Sequence, residues 1–133
     1  MRAILIAVSV LCSAAAAQAS GCNSGSGEIL KVKDWTASAQ NERSTNVSFT
    51  LENATKKKVQ MVDGTVWFED ALGQSIGGIS IEPDTILAPG ETLEQANFMA
   101  GFDRLVKARK TDINAVSCLV SVLYEDGTKE EFK

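Results

Sequence analysis

Residues 59–73 read VQMVDGTVWFEDALG, an alternation of apolar and polar side chains that ends on a Gly-bearing turn. A two-residue period predicts a strand with one buried face, because successive side chains leave a strand on opposite sides. The period slips once: Val59 and Met61 are odd-numbered, Val66 and Phe68 even. One inserted residue at Asp63-Gly64 reconciles them, since a bulge sets two residues against one on the partner strand, and glycine accepts the backbone angle that one of them often needs. The expectation is a bent core strand with Val59, Met61, Val66 and Phe68 on one face and Val62 and Trp67 on the other. At ~3.3 Å per residue the run from Val59 to Asp70 spans ~40 Å, too long for one flat strand in a small sandwich. Two shorter strands about a turn at Asp63-Gly64 are the alternative.

Upstream, Asn46 to Asn53 alternates cleanly, with Val47, Phe49 and Leu51 between Ser48, Thr50 and Glu52. Before it, Glu28 to Gln40 carries Ile29, Leu30, Val32 and Trp35 and reads as a first edge strand, closed by the polar turn Gln40 to Thr45. Downstream, Ser75 to Glu82 reads as a strand with a bulge or kink at Gly77-Gly78. A loop with Pro83, Pro89 and Gly90 follows, then an irregular strand, Glu91 to Met99, on which Leu93, Ala96 and Phe98 are the apolar residues.

From Asp103 to Lys110 the spacing of Phe102, Leu105, Val106 and Arg109 is helical, with Asp103 placed to cap the start. Ile113 to Tyr124 is the second core strand, and its even face, Val116, Cys118, Val120, Val122 and Tyr124, is wholly apolar. Asp126-Gly127 predicts a hairpin turn, after which Thr128 to Lys133 returns as an edge strand with Phe132 pointing inward. About seven strands with one short helix before the sixth predict an all-β, immunoglobulin-like two-sheet sandwich over residues 28–133.

Residues 1–19 have the form of a secretory signal peptide: Arg2 as the positive region, an apolar run from Ala3 to Cys12, and the small residues of Ala17-Gln18-Ala19 at the cleavage site. That run is too short to span a bilayer, and no later stretch supplies the ~20 apolar residues of a transmembrane helix. The alanine-rich form is bacterial, so the expected location is periplasmic or secreted. Residues 20–27 form a flexible N-terminal segment rich in glycine and serine. Loss of Arg2 leaves 12 basic against 17 acidic residues, a net charge of about −5. Such acidity argues against nucleic acid or anionic lipid as a partner, since both need a clustered positive face. Lys56, Lys57 and Lys58, the one basic run, fall between strands and read as a solvated loop.

The chain contains no histidine. Ser-His-Asp and Cys-His catalysis are excluded, as is the commonest zinc and copper ligand. Cys12 leaves with the signal peptide, and Cys22 and Cys118 remain. In an oxidising compartment they form a disulfide if their Cα atoms come within ~7 Å; otherwise Cys118 is a free buried thiol. Cys22 has a second reading. Ala19-Ser20-Gly21-Cys22 resembles a lipobox, in which the cysteine becomes an acylated N-terminus, although Ala19 stands where leucine is usual.

The pairs Glu69-Asp70, Glu125-Asp126 and Glu130-Glu131 are the material for acid/base or calcium chemistry, but neighbours on a strand point to opposite faces and no EF-hand spacing is present. Trp35 and Trp67 suit core packing, with a flat sugar platform as the alternative. Asn46-Val47-Ser48 and Asn53-Ala54-Thr55 match the N-glycosylation pattern, which in a bacterial protein arises by chance. No catalytic, cofactor-binding or metal-binding residue is assigned.

Some features resemble the immunoglobulin fold: Asp112 lies six residues before Cys118, as at the corner preceding the sixth strand, and Trp67 falls on the third strand. Val116 stands in place of the corner tyrosine and Phe49 in place of the second-strand cysteine, so that family's inter-sheet disulfide is absent. Val66-Trp67-Phe68-Glu69-Asp70 with Gly73, Leu87-Ala88-Pro89-Gly90-Glu91, and Val120 to Gly127 resemble small bacterial exported domains of the FxLYD type. This likeness implies a fold and an envelope location, not an activity. The expected function is a non-enzymatic binding or assembly module of the bacterial envelope, with an envelope protein as partner. The alternative is a lipid-anchored envelope lipoprotein with a structural role, held at the membrane through Cys22.

Overall fold

The computed structural model describes residues 29–132, so the signal peptide, the 20–27 segment and Cys22 lie outside the described residues. The strands are β1 (Leu30–Ala39), β2 (Ser44–Asn53), β3 (Val59–Asp70), β4 (Ser75–Ser80), β5 (Thr92–Ala100), β6 (Ile113–Tyr124) and β7 (Lys129–Glu131). A short helix, α1 (Arg104–Lys107), and a 3-10 turn (Lys110–Asp112) precede β6. All pairings are antiparallel, in two sheets: sheet A in the order β1-β2-β5 and sheet B in the order β4-β3-β6-β7. The result is an all-β two-sheet sandwich of seven strands among the described residues, in which residues 81–91 cross directly from sheet B to sheet A.

The core lies between the sheets. β2 contributes Val47, Phe49 and Leu51, the alternation expected for it. β3 contributes Val59, Val62, Val66 and Phe68. Phe68 makes edge-on contacts with Trp35 of β1 at 5.6 Å and with Phe102 at 6.4 Å between ring centroids. Such pairs add roughly 0.5–1.5 kcal/mol beyond their burial.

β3 is one continuous strand, but its face assignment differs from expectation at two residues. The pairs Val59–Tyr124 and Met61–Leu123 leave Gln60 as the extra residue. The phase therefore changes at Gln60, which turns Met61 outward and Val62 inward; from there Val62, Gly64, Val66 and Phe68 share the inner face. A second register break does fall at Asp63-Gly64, yet its extra residue is Val120 on β6. Gly64 itself has no positive φ. It is required by closeness: a Cβ there would lie 2.5 Å from Leu119 Cδ2 and 3.0 Å from the Cys118 carbonyl oxygen.

Three smaller expectations are also corrected. The bulge in β4 has Ile76 as its extra residue, just before the two glycines. Asp103 does not cap α1 through its side chain; its backbone is helical and its carboxylate accepts from Lys107 Nζ at 2.8 Å instead. On β5, Ala96 and Phe98 face solvent, whereas Gln95 faces the core. Gln95 is buried without penalty because Nε2 donates to Thr85 Oγ1 at 2.8 Å and Oε1 accepts from the Glu82 amide at 3.2 Å. These bonds hold the sheet-to-sheet crossover.

Candidate functional site

Because β3 carries Thr65 and Trp67 on the outer face of sheet B, their partners on β6, Cys118 and Val116, are outer residues too. The expected all-even core face of β6 therefore holds for two of its five residues. Val122 and Tyr124 are inside, but before the bulge the inner residues are Ile113, Ala115, Ser117 and Leu119. Val120 is 52% exposed. The reason is the extra residue: Val120 and Ser121 both face outward between Leu119 and Val122, and the phase of the strand changes there. The inner Ser117 hydroxyl donates to the Leu30 carbonyl, which ties β1 to β6 across the sandwich.

Cys118 is 7% exposed and takes part in a disulfide bond. Its partner lies outside the described residues. The bond is on the outer face of sheet B, amid Trp67, Val116, Leu123, Val120 and Met61, the last 48% exposed. At one end of this apolar band, Met61, Val62, Pro83, Val122 and Leu123 line a hollow of about 260 Å³, with Asp63 and Lys129 also in its wall. A concave apolar surface with a few charged groups is the usual form of a binding site.

The two tryptophans are on opposite faces of different sheets, so they form no joint platform. Trp35 is a core residue whose ring lies 5.2 Å from Lys110 Nζ; that ammonium also donates to Asp34 Oδ1 at 2.6 Å. Hydrogen bonding to Lys110 holds the Asp34 carboxyl below its ordinary value.

The paired carboxylates are occupied by turns and neighbouring strands. Asp70 Oδ1 accepts from the Leu72 and Gln74 amides, each at 2.9 Å, and Oδ2 from Arg104 at 2.9 Å. The Gln74 amide above all, then Arg104, keeps Asp70 ionised to lower pH than usual. Glu125 faces Lys58 at 3.9 Å and Asp126 faces Lys57 at 3.2 Å. The hairpin turn has Gly127 at φ +85° and is closed by Asp126 Oδ1, which accepts from the Thr128 hydroxyl at 2.5 Å and the Thr128 amide at 2.9 Å. Those two bonds, with Lys57 behind them, lower its pKa to about 2. Glu131 pairs with Lys129 at 2.8 Å, and Glu130 accepts from the Tyr124 hydroxyl at 3.2 Å. Burial and the Glu130 charge raise Tyr124 to about 12. Lys57 also lies 5.3 Å from the Tyr124 ring centre. The lysine loop is largely exposed, as expected, and Lys57 and Lys58 reach across to the last hairpin from it. Among the described residues no group of three or more histidine, cysteine or acidic side chains could hold a metal ion.

Asn53, read from the sequence only as a chance glycosylation match, has a structural role. It is fully buried, and its Nδ2 donates to the Lys57 and Leu87 carbonyls at 2.8 Å each. Its Oδ1 accepts from the Thr55 amide at 2.9 Å and the Thr55 hydroxyl at 2.7 Å. An amide so used has no free nitrogen for a glycan. The signal was present in the odd-numbered inner face of Val47, Phe49 and Leu51, which Asn53 continues. Asn46, in the other glycosylation match, pairs with Phe98 across the ladder, and its Oδ1 is buried without a hydrogen-bond partner.

No helix among the described residues is long and apolar enough to cross a membrane. No family model matches the chain, and no curated protein matches it in sequence.

Proposed function

We propose that this chain is a non-enzymatic exported binding module of the bacterial envelope, an immunoglobulin-like domain of FxLYD-like character that holds another envelope protein on the outer face of sheet B. The observation that carries this reading is the apolar band from Trp67 to Met61, with its hollow between Met61, Pro83 and Leu123. Of the two charged residues in the hollow's wall, Lys129 is held by Glu131 at 2.8 Å, and the rest of the lining is largely apolar, which suits a surface that recognises by shape and apolar contact. The acidic balance of the chain supports a protein partner over nucleic acid.

The disulfide at Cys118 supports a periplasmic or secreted location and a domain without a lipid anchor. With Cys12 removed by cleavage, Cys22 is the one cysteine left to pair with it, and a sulfur in a disulfide carries no acyl glycerol. The lipoprotein reading requires the reverse. The intact mass of the native protein before and after reduction separates the two: a start at Ser20 that gains two hydrogens supports the first, and an acylated start at Cys22 the second.

The binding reading is tested by recovering partners from envelope extract with the wild type, with Met61→Glu, and with Thr36→Glu on sheet A as control. A discrete partner lost only with Met61→Glu is expected. Recovery of none, or equal recovery with all three, overturns the assignment to this face. Turnover of common hydrolase substrates by the pure protein overturns its non-enzymatic part.

A further inference from the structure

We propose that two copies of this chain pair through their β5 edges, antiparallel about a two-fold axis at Ala96, so that two copies of sheet A become one continuous sheet. The pairing is independent of what the outer face of sheet B binds. Among the described residues, three of the four sheet edges are protected in the ways exposed strands usually are. β1 is broken by a bulge at Lys33 and carries Lys31, Lys33 and Asp34. β4 has six residues and a bulge, and β7 has three residues, all charged. The β5 edge has none of these devices. It runs for nine residues in unbroken register with β2, contains no lysine or proline, and has Glu94 as its single charge.

The ladder also fixes which backbone groups are open. The Asn53 amide donates to the Glu91 carbonyl, and the β2–β5 register continues that pair through Leu51–Leu93, Phe49–Gln95 and Val47–Asn97. Hydrogen-bonded pairs recur at every second residue, so the odd residues of β5 bond to β2. The N–H and C=O groups of Glu94, Ala96 and Phe98 point away from the sheet, along the open edge.

A second copy fits this edge because the sequence TLEQANFMA is self-complementary about Ala96. The two-fold sets Ala96 against itself and Glu94 against Phe98 on the outer face. On the inner face it sets Leu93 against Met99 and Gln95 against Asn97, apolar with apolar and amide with amide. Each Phe98, 66% exposed in one copy, then lies diagonal to Ala96 of the other, within reach of an aromatic ring. The two Glu94 carboxylates stand four residues apart, ~13 Å along the strands and beyond the ~8 Å screening length at physiological salt. An isologous contact of this kind closes at two copies.

Sedimentation equilibrium of the oxidised, mature protein tests the pairing, with Ala96→Lys and Ala96→Cys as variants. Ala96 is exposed and its N–H does not bond to β2, so both variants keep the fold, as their circular dichroism will confirm. The wild type is expected to double in mass with rising concentration. Ala96→Lys places two ammonium groups on the axis and is expected to weaken association at least tenfold. Ala96→Cys meets its own copy at a Cα separation of ~5.5 Å, inside the disulfide range, and is expected to give a covalent dimer on mild oxidation, whereas Thr36→Cys is not. A wild type that stays monomeric at its highest soluble concentration overturns the proposal. So does a dimer indifferent to Ala96→Lys, or a monomer whose β5 edge takes up a foreign extended peptide instead.

Discussion

Gly64 of β3 lies against Leu119 of β6 so closely that a methyl group on residue 64 would sit 2.5 Å from Leu119 Cδ2. The contact falls where Val120 is the extra residue of β6, and the missing side chain lets the bulged strand approach. Gly64→Ala should therefore destabilise the domain by about 1–3 kcal/mol, the usual cost of overpacking a filled core. Urea denaturation should show a lower midpoint at unchanged slope. A variant as stable as the wild type would mean that β6 is free to shift at Leu119.

Asn53 should be the most sensitive polar residue. Asn53→Ala removes both donors to Lys57 and Leu87 and the acceptor for Thr55, in a fully buried position. A loss of about 2–3 kcal/mol is expected, since buried groups left short of partners carry their full desolvation cost. Amide hydrogen exchange should rise first in residues 53–59, where the loop it braces begins.

Asn46 should behave in the opposite way. Its Oδ1 is buried with no partner, on a strand position that favours β-branched side chains. Asn46→Val is expected to stabilise the domain by roughly 0.5–1 kcal/mol, measured as a higher denaturation midpoint. A destabilised variant would show that the amide is held by ordered water.

On the acid side, Asp126 has a folded pKa of about 2 against an ordinary value of 3.8, through its bonds to Thr128 and then Lys57. A depressed folded pKa gives stability that is complete above the unfolded value and lost as pH falls through the folded one. Asp34, Asp70, Asp103 and Glu131 are shifted in the same direction. The thermal midpoint should fall as pH drops from 3.8 toward 2, and Asp126→Asn should flatten that fall. An equally steep fall in the variant would place the linkage on the other carboxylates.

On the alkaline side, Tyr124 is the one tyrosine of the chain, so tyrosinate absorbance reads it directly. Burial, then the Glu130 charge, raises its pKa from 10.0 to about 12. A raised folded pKa gives stability that is complete below the unfolded value and lost as pH climbs through the folded one. Folded protein should titrate near 12 and protein in denaturant near 10, and Glu130→Gln should bring the folded value down. Titration of folded wild type at the ordinary value would show the ring to be solvated.

The strands, their order along the chain and the hairpin at Asp126-Gly127 were legible in the amino-acid sequence, because alternation and turn chemistry act between near neighbours. β6 was read with its observed bounds, and β3 as one bent strand. The amphipathic stretch Asp103 to Lys110 announced a helix, though not that Asp103 would pair with Lys107 instead of capping it. Tertiary structure decided which face each segment turns to the core. A bulge belongs to a pair of strands, and one extra residue moves everything beyond it to the other face. Gln60 and Val120 are those residues here, and nothing in their own neighbourhoods distinguishes them from regular strand positions. For that reason Cys118, on an apolar run that reads as core, is an outer residue, and its disulfide lies on the surface of sheet B rather than between the sheets.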